Sequence, residues 1–146
     1  SKMKSTLIEK SRNINDGRPF VIAGKCLKII SGYDNPKVTF LGFSYKEDVG
    51  DLRESPAVPI YNELIKKGVK VSIYDPHIRN SKFAAVELDA ACKDSDLLLL
   101  FVGHKVFRNI ELEKIRPLMR NPNILDTRHF FDRKKLLNTG FAYHGI

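Results

Sequence analysis

The sequence contains little cysteine and no long apolar run, and each scarcity excludes a class of protein. Its two cysteines, Cys26 and Cys92, lack the spacing of a metal site and are too few for a disulfide framework. The longest wholly apolar run, residues 97–102, is far too short to cross a bilayer. No signal-peptide pattern opens the chain. We therefore expect a cytoplasmic protein with no membrane segment, and a length of 146 residues favours one packed domain.

Negative charge is scarce at the start of the chain. Residues 1–32 hold seven Lys and Arg against two Asp and Glu, whereas the remaining residues hold eighteen against fifteen. The formal net charge of +8 therefore resides mainly on the N-terminal segment. Because a nucleic-acid-binding domain more often carries its basic face on the fold itself, this distribution argues against nucleic acid and favours a solvated helix face.

Glycine-rich phosphate loops are also lacking, although one strand–loop–helix has the position of a ligand site. An apolar run over 38–42 predicts a buried strand, which a polar loop and then a Ser-Pro helix-start signal follow. No further glycine follows Gly42 at phosphate-loop spacing. The loop instead offers the cations of Lys46 and Arg53 beside several carboxylates. Such cations suit an anionic ligand.

Apolar runs and helical periodicities alternate along the chain. A helical segment is expected over 4–31, with a kink or break near Pro19. The later predicted strands cover 37–43, 69–74, 96–102, 123–125 and 141–144, and the predicted helices cover 56–67, 86–93, 111–119 and 132–138. This alternation predicts an α/β fold with a Rossmann-like, doubly wound parallel sheet of about five strands, preceded by an N-terminal helical segment.

The carboxyl ends of the predicted strands collect charged and polar residues. In a doubly wound sheet these ends share one edge, where ligands bind. The residues are, in chain order, Lys46 and Arg53, Asp75 and His77, His104 and Lys105, and Arg128 and His129. The cations among them predict a phosphorylated or otherwise anionic small ligand.

Each of these residues also has a purely structural interpretation. Lys46 and Arg53 could pair with carboxylates of their own loop, and Arg128 could be an ordinary surface arginine. Asp75 occupies the position of a ribose-binding carboxylate but could equally form an Asp-Pro turn. The four histidines lack paired metal-ligand spacing, and neither cysteine follows a strand beside a basic group. We therefore expect neither a metal site nor a thiol nucleophile.

Several short segments form a specific pattern when taken together. They are Gly42, Tyr45-Lys46, Asp51-Leu52-Arg53-Glu54-Ser55-Pro56, Tyr74-Asp75-Pro76 and Asp126-Thr127-Arg128. In these segments, and over roughly residues 5–146, the chain resembles the C-terminal, nucleotide-sugar-binding domain of the UDP-glucose/GDP-mannose dehydrogenase family. The closing residues 143–146 resemble the branch that acts on UDP-N-acetylmannosamine.

The resemblance implies an NAD-dependent oxidoreductase of polysaccharide biosynthesis that oxidises a nucleotide sugar twice, to the uronic acid. It implies that Tyr45, Lys46 and Arg128 contact the UDP-sugar, and that Arg53 reaches NAD bound by another domain. Side chains that stay ionised, as those of Lys and Arg do, suit the two phosphates of a nucleotide sugar.

Two segments of that family have no counterpart in this sequence, namely the NAD-binding GxGxxG and the central stretch with the catalytic cysteine. We therefore interpret residues 1–32 as the tail of a central domain and residues 33–146 as the UDP-sugar-binding domain. Such a fragment is expected to be inactive alone. The alternative is a free-standing nucleotide- or nucleic-acid-binding α/β module without catalysis.

Assembly stays open at this point. The N-terminal helical segment carries four apolar residues, Leu7, Ile8, Ile14 and Ile22. They could pair two copies into a homodimer, or they could pack on the sheet of their own chain.

Overall fold

The computed structural model describes residues 18–46, 52, 55–78 and 82–146, in which short strands alternate with helices. The strands are β1 (Lys37–Leu41), β2 (Lys70–Tyr74), β3 (Leu97–Leu100), β4 (Asn123–Asp126) and β5 (Ala142–Gly145). The helices are α1 (18–29), α2 (Ala57–Lys66), α3 (Leu88–Cys92), α4 (Leu112–Ile115) and α5 (Arg133–Asn138). Two 3-10 helices, Lys105–Asn109 and Arg116–Leu118, flank α4.

The five strands form one parallel sheet in the order β2-β1-β3-β4-β5. Parallel neighbours cannot be joined by a tight turn, so each connection crosses over a face of the sheet, and most do so with a helix. The order reverses between β1 and β3, because the chain winds outward from this pair in both directions. The predicted doubly wound α/β sheet is confirmed. Ligands of such sheets bind outside the carboxyl ends of the strands, at the reversal.

A hydrophobic core lies on each face of the sheet. Helices α1 and α2 cover one face, and their buried residues include Ile22, Cys26, Ile60 and Leu64. Helices α3, α4 and α5 cover the other face, and their buried residues include Cys92, Leu112, Ile115 and Leu136. The sheet is therefore the middle of three layers, and its strands are shielded from water on both sides.

Strand β3 contributes to both cores. Successive side chains of a strand point to opposite faces, so Leu97 and Leu99 enter the first core while Leu98 and Leu100 enter the second. All four leucines are buried, and each stabilises the fold by about 2 kcal/mol. This double burial explains why β3 reads as an unbroken apolar run in the sequence.

Strand β3 and helix α4 are among the elements that end before the residue that the sequence predicts. Strand β3 ends at Leu100 because the chain turns there, and the amides of Phe101 and Val102 both donate to the Leu41 carbonyl oxygen. The helix predicted over 111–119 ends at Ile115 and continues as a 3-10 turn. The cause is Pro117, which lacks an amide hydrogen and clashes with the preceding helical turn.

Helix α1 belongs to the core of the sheet. Ile22, Ala23, Cys26 and Ile30 are buried in the same cluster as β1 and β3. Of the four apolar residues that were open to pairing, Ile22 therefore packs on the chain's own sheet, and the other three lie outside the described residues. Pro19 lies in the first turn of the described part of α1, and the residues before Arg18, on the other side of the expected kink or break, lie outside the described residues. The division at residue 32 stays a prediction. No helix in the described part of the chain is long and apolar enough to cross a membrane.

Candidate functional site at the carboxyl edge of the sheet

The loops that follow β1, β3 and β4 meet at the carboxyl edge. The Phe101 amide donates to the Leu41 carbonyl oxygen at 3.0 Å, which joins the ends of β3 and β1. The Thr127 amide and hydroxyl both donate to the Leu100 carbonyl oxygen, at 3.2 and 2.8 Å, which joins the ends of β4 and β3. Since β1 and β4 both neighbour β3, their ends lie about 10 Å apart. Side chains from these two loops can therefore face one ligand.

Gly42 is required where the chain leaves β1. Its φ is +86°, and a Cβ there would lie 2.8 Å from both the Cβ and the carbonyl oxygen of Val102. Only glycine tolerates both the left-handed backbone and this close approach. The glycine of the sequence motif thus lets the β1 loop cross directly over the end of β3.

Asp75 holds the start of the β1 loop. Its Oδ2 accepts hydrogen bonds from the amides of Phe43 and Ser44, at 2.8 and 3.0 Å, and its Oδ1 accepts from the His77 amide at 2.9 Å. Only 3% of Asp75 is exposed. Burial raises the pKa of Asp75, but the hydrogen bonds from His104, Phe43 and His77 outweigh it and lower the pKa to about 2. The sequence left open a ribose-binding carboxylate or a plain turn. The turn is present, since the Ile78 amide donates to the Asp75 carbonyl oxygen at 3.4 Å, and the Asp75 side chain is in addition a positioning residue for the β1 loop.

His104 completes the buried network around Asp75. Its Nε2 lies 3.0 Å from Asp75 Oδ2 and 3.3 Å from Ser44 Oγ. Because an ionised carboxylate only accepts, this nitrogen carries a proton, and the Ser44 hydroxyl donates to the Lys46 carbonyl oxygen at 3.1 Å. A catalytic Ser-His-Asp triad uses the two ring nitrogens for different partners, whereas here both partners share one. The arrangement is a brace for the loop rather than a nucleophile.

Ser55 ties helix α2 to the same loop. Its hydroxyl donates to the Phe43 carbonyl oxygen at 2.8 Å and accepts from the Ala57 amide at 3.2 Å. The residue is buried, so both bonds are shielded from water. The Ser-Pro signal that predicted a helix start therefore also fixes where α2 begins relative to the β1 loop.

The other side of the edge is organised by Asp126, at the end of β4. Its Oδ1 accepts from the amides of Arg128 and Phe130, both at 3.0 Å. Its Oδ2 accepts from the Phe131 amide at 2.9 Å and from the Tyr143 hydroxyl at 3.1 Å. One buried carboxylate thus sets the turn that presents Arg128. Sequence reasoning named Arg128 but not this role of Asp126, for which its position two residues before Arg128 was the signal.

Arg128 is presented to solvent from a fixed base. Its Nε donates to the Phe101 carbonyl oxygen at 3.1 Å, and its terminal nitrogens have no partner among the described residues. A cavity of about 60 Å³ lies beside it, lined by Arg18, Pro19, Ile22, Pro56, Phe101, Thr127 and Arg128. Arg18 on α1 therefore lines the same cavity as Arg128. Sequence reasoning missed Arg18, although the positive charge of the N-terminal segment pointed to it.

Tyr45 and Lys46 lie at the same edge, on the β1 loop, and both are exposed. The Lys46 Nζ lies 5.6 Å from the centre of the Tyr45 ring, which is within cation–π range. Neither residue lines the cavity beside Arg128. Arg53 lies outside the described residues. The structure therefore brings Tyr45, Lys46 and Arg128 to one edge of the sheet, and Arg128 alone of the three lines the described cavity.

A family model described as "UDP-glucose/GDP-mannose dehydrogenase family, UDP binding domain" matches residues 39–133. This stretch runs from β1 to the first residue of α5, so it contains the braced β1 loop, Asp75 and the Arg128 turn.

Curated relatives match over nearly all of the chain. A UDP-N-acetyl-D-mannosamine dehydrogenase from Methanococcus aeolicus is 34% identical over 97% of this chain and 33% of its own length. A UDP-glucose 6-dehydrogenase from Rhizobium meliloti is 26% identical over 96% of this chain and 34% of its own length. Among solved structures, a UDP-N-acetyl-mannosamine dehydrogenase from S. aureus superposes with a TM-score of 0.83 at 30% identity, over 99% of this chain and 34% of that one. The chain spans about a third of the length of these relatives.

Proposed function

The chain belongs to the UDP-glucose/GDP-mannose dehydrogenase family, as the resemblance in its sequence predicted, and we propose that it is the UDP-sugar-binding domain of a nucleotide-sugar 6-dehydrogenase. The observation that carries the proposal is that the β1 and β4 loops leave the carboxyl edge of the sheet on either side of β3, with Lys46 on one loop and Arg128 on the other. The relatives named as UDP-N-acetyl-D-mannosamine dehydrogenases support that sugar as the substrate.

Each of the proposed site residues offers the UDP-sugar a different kind of contact. A nucleoside diphosphate carries two linked phosphates, and the planar guanidinium of the exposed Arg128 can donate two parallel hydrogen bonds to one of them. Lys46 supplies a point charge from the opposite loop, and Tyr45 offers an aromatic face and a hydroxyl. Arg18 adds a further cation beside Arg128.

The cavity beside Arg128 holds only part of such a ligand. Its volume of about 60 Å³ is well below the several hundred Å³ of a site for a whole small molecule. Since the chain spans a third of its relatives, the remaining walls are expected from the other two thirds of a full-length enzyme. The isolated chain should therefore bind UDP weakly.

Catalysis requires groups that this chain does not supply. Burial raises the pKa of both thiols, Cys26 and Cys92, to about 12, so neither offers a thiolate near neutral pH. NAD is the proposed oxidant of the whole enzyme, and by the family resemblance Arg53 reaches it. Because the chain contains no GxGxxG, it offers NAD a contact rather than a binding site. The chain alone should not turn over.

The cellular location and the oligomeric state of the enzyme are also part of the proposal. We propose a cytoplasmic location for the enzyme. A homodimer through the N-terminal segment fits two exposed apolar residues of α1, Phe20 and Val21, which are 59% and 57% exposed.

Shift mapping by NMR tests where UDP binds. Titration of the 15N-labelled chain with UDP should move the amide signals of Tyr45, Lys46 and Arg128 together. Arg116 is a matched control, because it is an exposed arginine whose Nε donates to the Gly140 carbonyl oxygen. Arg128→Ala should abolish most of the shifts, and Arg116→Ala should preserve them. Shifts confined to any other part of the chain, or none at millimolar UDP, would contradict the proposal.

A further inference from the structure

A groove of about 690 Å³ lies at the amino edge of the sheet, opposite to the edge that carries Lys46 and Arg128. Its lining includes Lys37, Lys70, Ser72, Lys93, Asp94 and Arg120. None of these residues takes part in the proposed UDP-sugar site. The volume is within the range of sites that take a whole small molecule.

The fold forces two of the lysines together. Lys37 and Lys70 are the first residues of β1 and β2, and they are register partners in the parallel ladder. Ser72 follows two residues after Lys70, so it lies on the same face of β2. Helix α3 is only five residues long and ends at Cys92, so Lys93 is the residue that follows it. The Lys37 Nζ donates to the Lys93 carbonyl oxygen at 2.6 Å.

Like charges opposite each other on neighbouring strands destabilise a sheet. Burial lowers the pKa of Lys37, and the charges of Lys70 and Lys93 lower it further, although Asp94 opposes them. Neither Lys70 nor Lys93 forms a salt bridge with any residue that the structure describes. Asp94 therefore relieves part of the repulsion among these cations, while Lys70 and Lys93 have no salt-bridge partner in the described part of the chain.

Nearby carboxylates do not balance these cations. Asp96 is buried and already occupied, since it accepts from Arg120 Nε at 2.8 Å and Nη2 at 2.5 Å, from the Lys37 amide and from the Asn121 side chain. Arg120 also donates to the Asp34 and Asn35 carbonyl oxygens, so its guanidinium is held in place. Four cations thus lie near three carboxylates, Asp34, Asp94 and Asp96, of which Asp96 is paired with Arg120 and only Asp94 lines the groove.

We propose that this groove is a second anion site, which takes a small molecule carrying two or three linked phosphates. Arg120 forms its rigid end, Lys70 and Lys93 close over the phosphates, and the Ser72 hydroxyl donates to them. A lysine on an edge strand also discourages pairing between sheets, and that role alone would explain Lys70. It does not explain Lys37, which lies on the inner strand β1.

Titration of the 15N-labelled chain with inorganic tripolyphosphate tests the site. The amide signals of Lys70, Ser72 and Lys93 should shift, and the double variant Lys70→Gln/Lys93→Gln should bind at least tenfold more weakly. The matched control, Lys134→Gln/Lys135→Gln, removes the same charge from exposed positions on α5 and should bind normally. Equal weakening in both double variants, or shifts at the carboxyl edge alone, would overturn the proposal.

Two further readouts separate this site from the UDP-sugar site. Arg128→Ala should leave tripolyphosphate binding in the groove unchanged while it weakens UDP binding, so the two proposals can fail independently. Lys70→Gln should also raise the melting temperature by about 2 °C in the absence of phosphate, because it removes the repulsion from Lys37. A melting temperature that falls instead would show that Lys70 stabilises the sheet, and it would contradict the proposal.

Discussion

Substitution of the buried carboxylate at Asp75 should destabilise the protein by about 2 kcal/mol at pH 7. The hydrogen bonds of Asp75 lower its pKa from 3.8 to about 2, and each pKa unit corresponds to about 1.4 kcal/mol. Asp75→Asn removes the charge. It also turns an NH2 group toward either the Phe43 and Ser44 amides or the His77 amide, all of which are donors. For a chain of this length the melting temperature should fall by about 6 °C.

The pH dependence makes the prediction specific. The folded pKa is depressed, so between about pH 4 and pH 2 the unfolded chain binds more protons than the folded one. The stabilisation from Asp75 is therefore complete above about pH 4 and is lost as the pH falls through about 2. Urea unfolding of the wild type and Asp75→Asn should differ by about 2 kcal/mol at pH 7 and by far less near pH 2.

A control and a refuting result follow from the same structure. Asp89 is an exposed carboxylate in the first turn of α3, and Asp89→Asn should change the free energy of unfolding by less than about 0.5 kcal/mol. If Asp75→Asn destabilised no more than Asp89→Asn, or if its effect were the same near pH 2 as at pH 7, the proposed brace on the β1 loop would be refuted.

Three further predictions concern the same edge and the assembly. Gly42→Ala should destabilise by about 3 kcal/mol in urea unfolding, because the new methyl group would lie 2.8 Å from Val102 on a left-handed backbone; a cost below 1 kcal/mol would contradict this. Burial and the nearby Asp126 raise the pKa of Tyr143, so Asp126→Asn should lower that pKa in an ultraviolet titration and also weaken UDP binding; an unchanged pKa would argue against the contact. Sedimentation velocity should show a dimer that Phe20→Ser converts to a monomer, whereas a monomeric wild type would remove the dimer proposal.

The periodicity of the sequence was enough to predict most of the architecture. The four leucines of β3 fill both cores, which is why an unbroken apolar run predicted a strand covered on two faces. Because Lys46 and Arg128 each follow a predicted parallel strand, the sequence also predicted that both lie at the carboxyl edge of the sheet. Helix α4 was predicted too long, because the helical spacing continues through Pro117 while the backbone cannot.

The roles of the buried carboxylates could not be predicted in the same way. A ribose-binding aspartate and a positioning aspartate both follow the second strand, and only the three-dimensional packing of Phe43, Ser44 and His104 around Asp75 distinguishes them. Arg18 was missed for a related reason. Arg18 lies beside Arg128 because of the way α1 packs across the sheet. The spacing of residues along the sequence does not determine that packing.

The affinity for UDP, measured by calorimetry on matched variants, tests the central claim most directly. If the β1 and β4 loops hold a nucleoside diphosphate, Lys46→Ala and Arg128→Ala should each weaken UDP binding about tenfold or more, since each removes a charge-assisted contact. Arg116→Ala, at an exposed arginine away from the carboxyl edge, should bind UDP as the wild type does. Equal affinity in all four proteins would show that the diphosphate is held elsewhere.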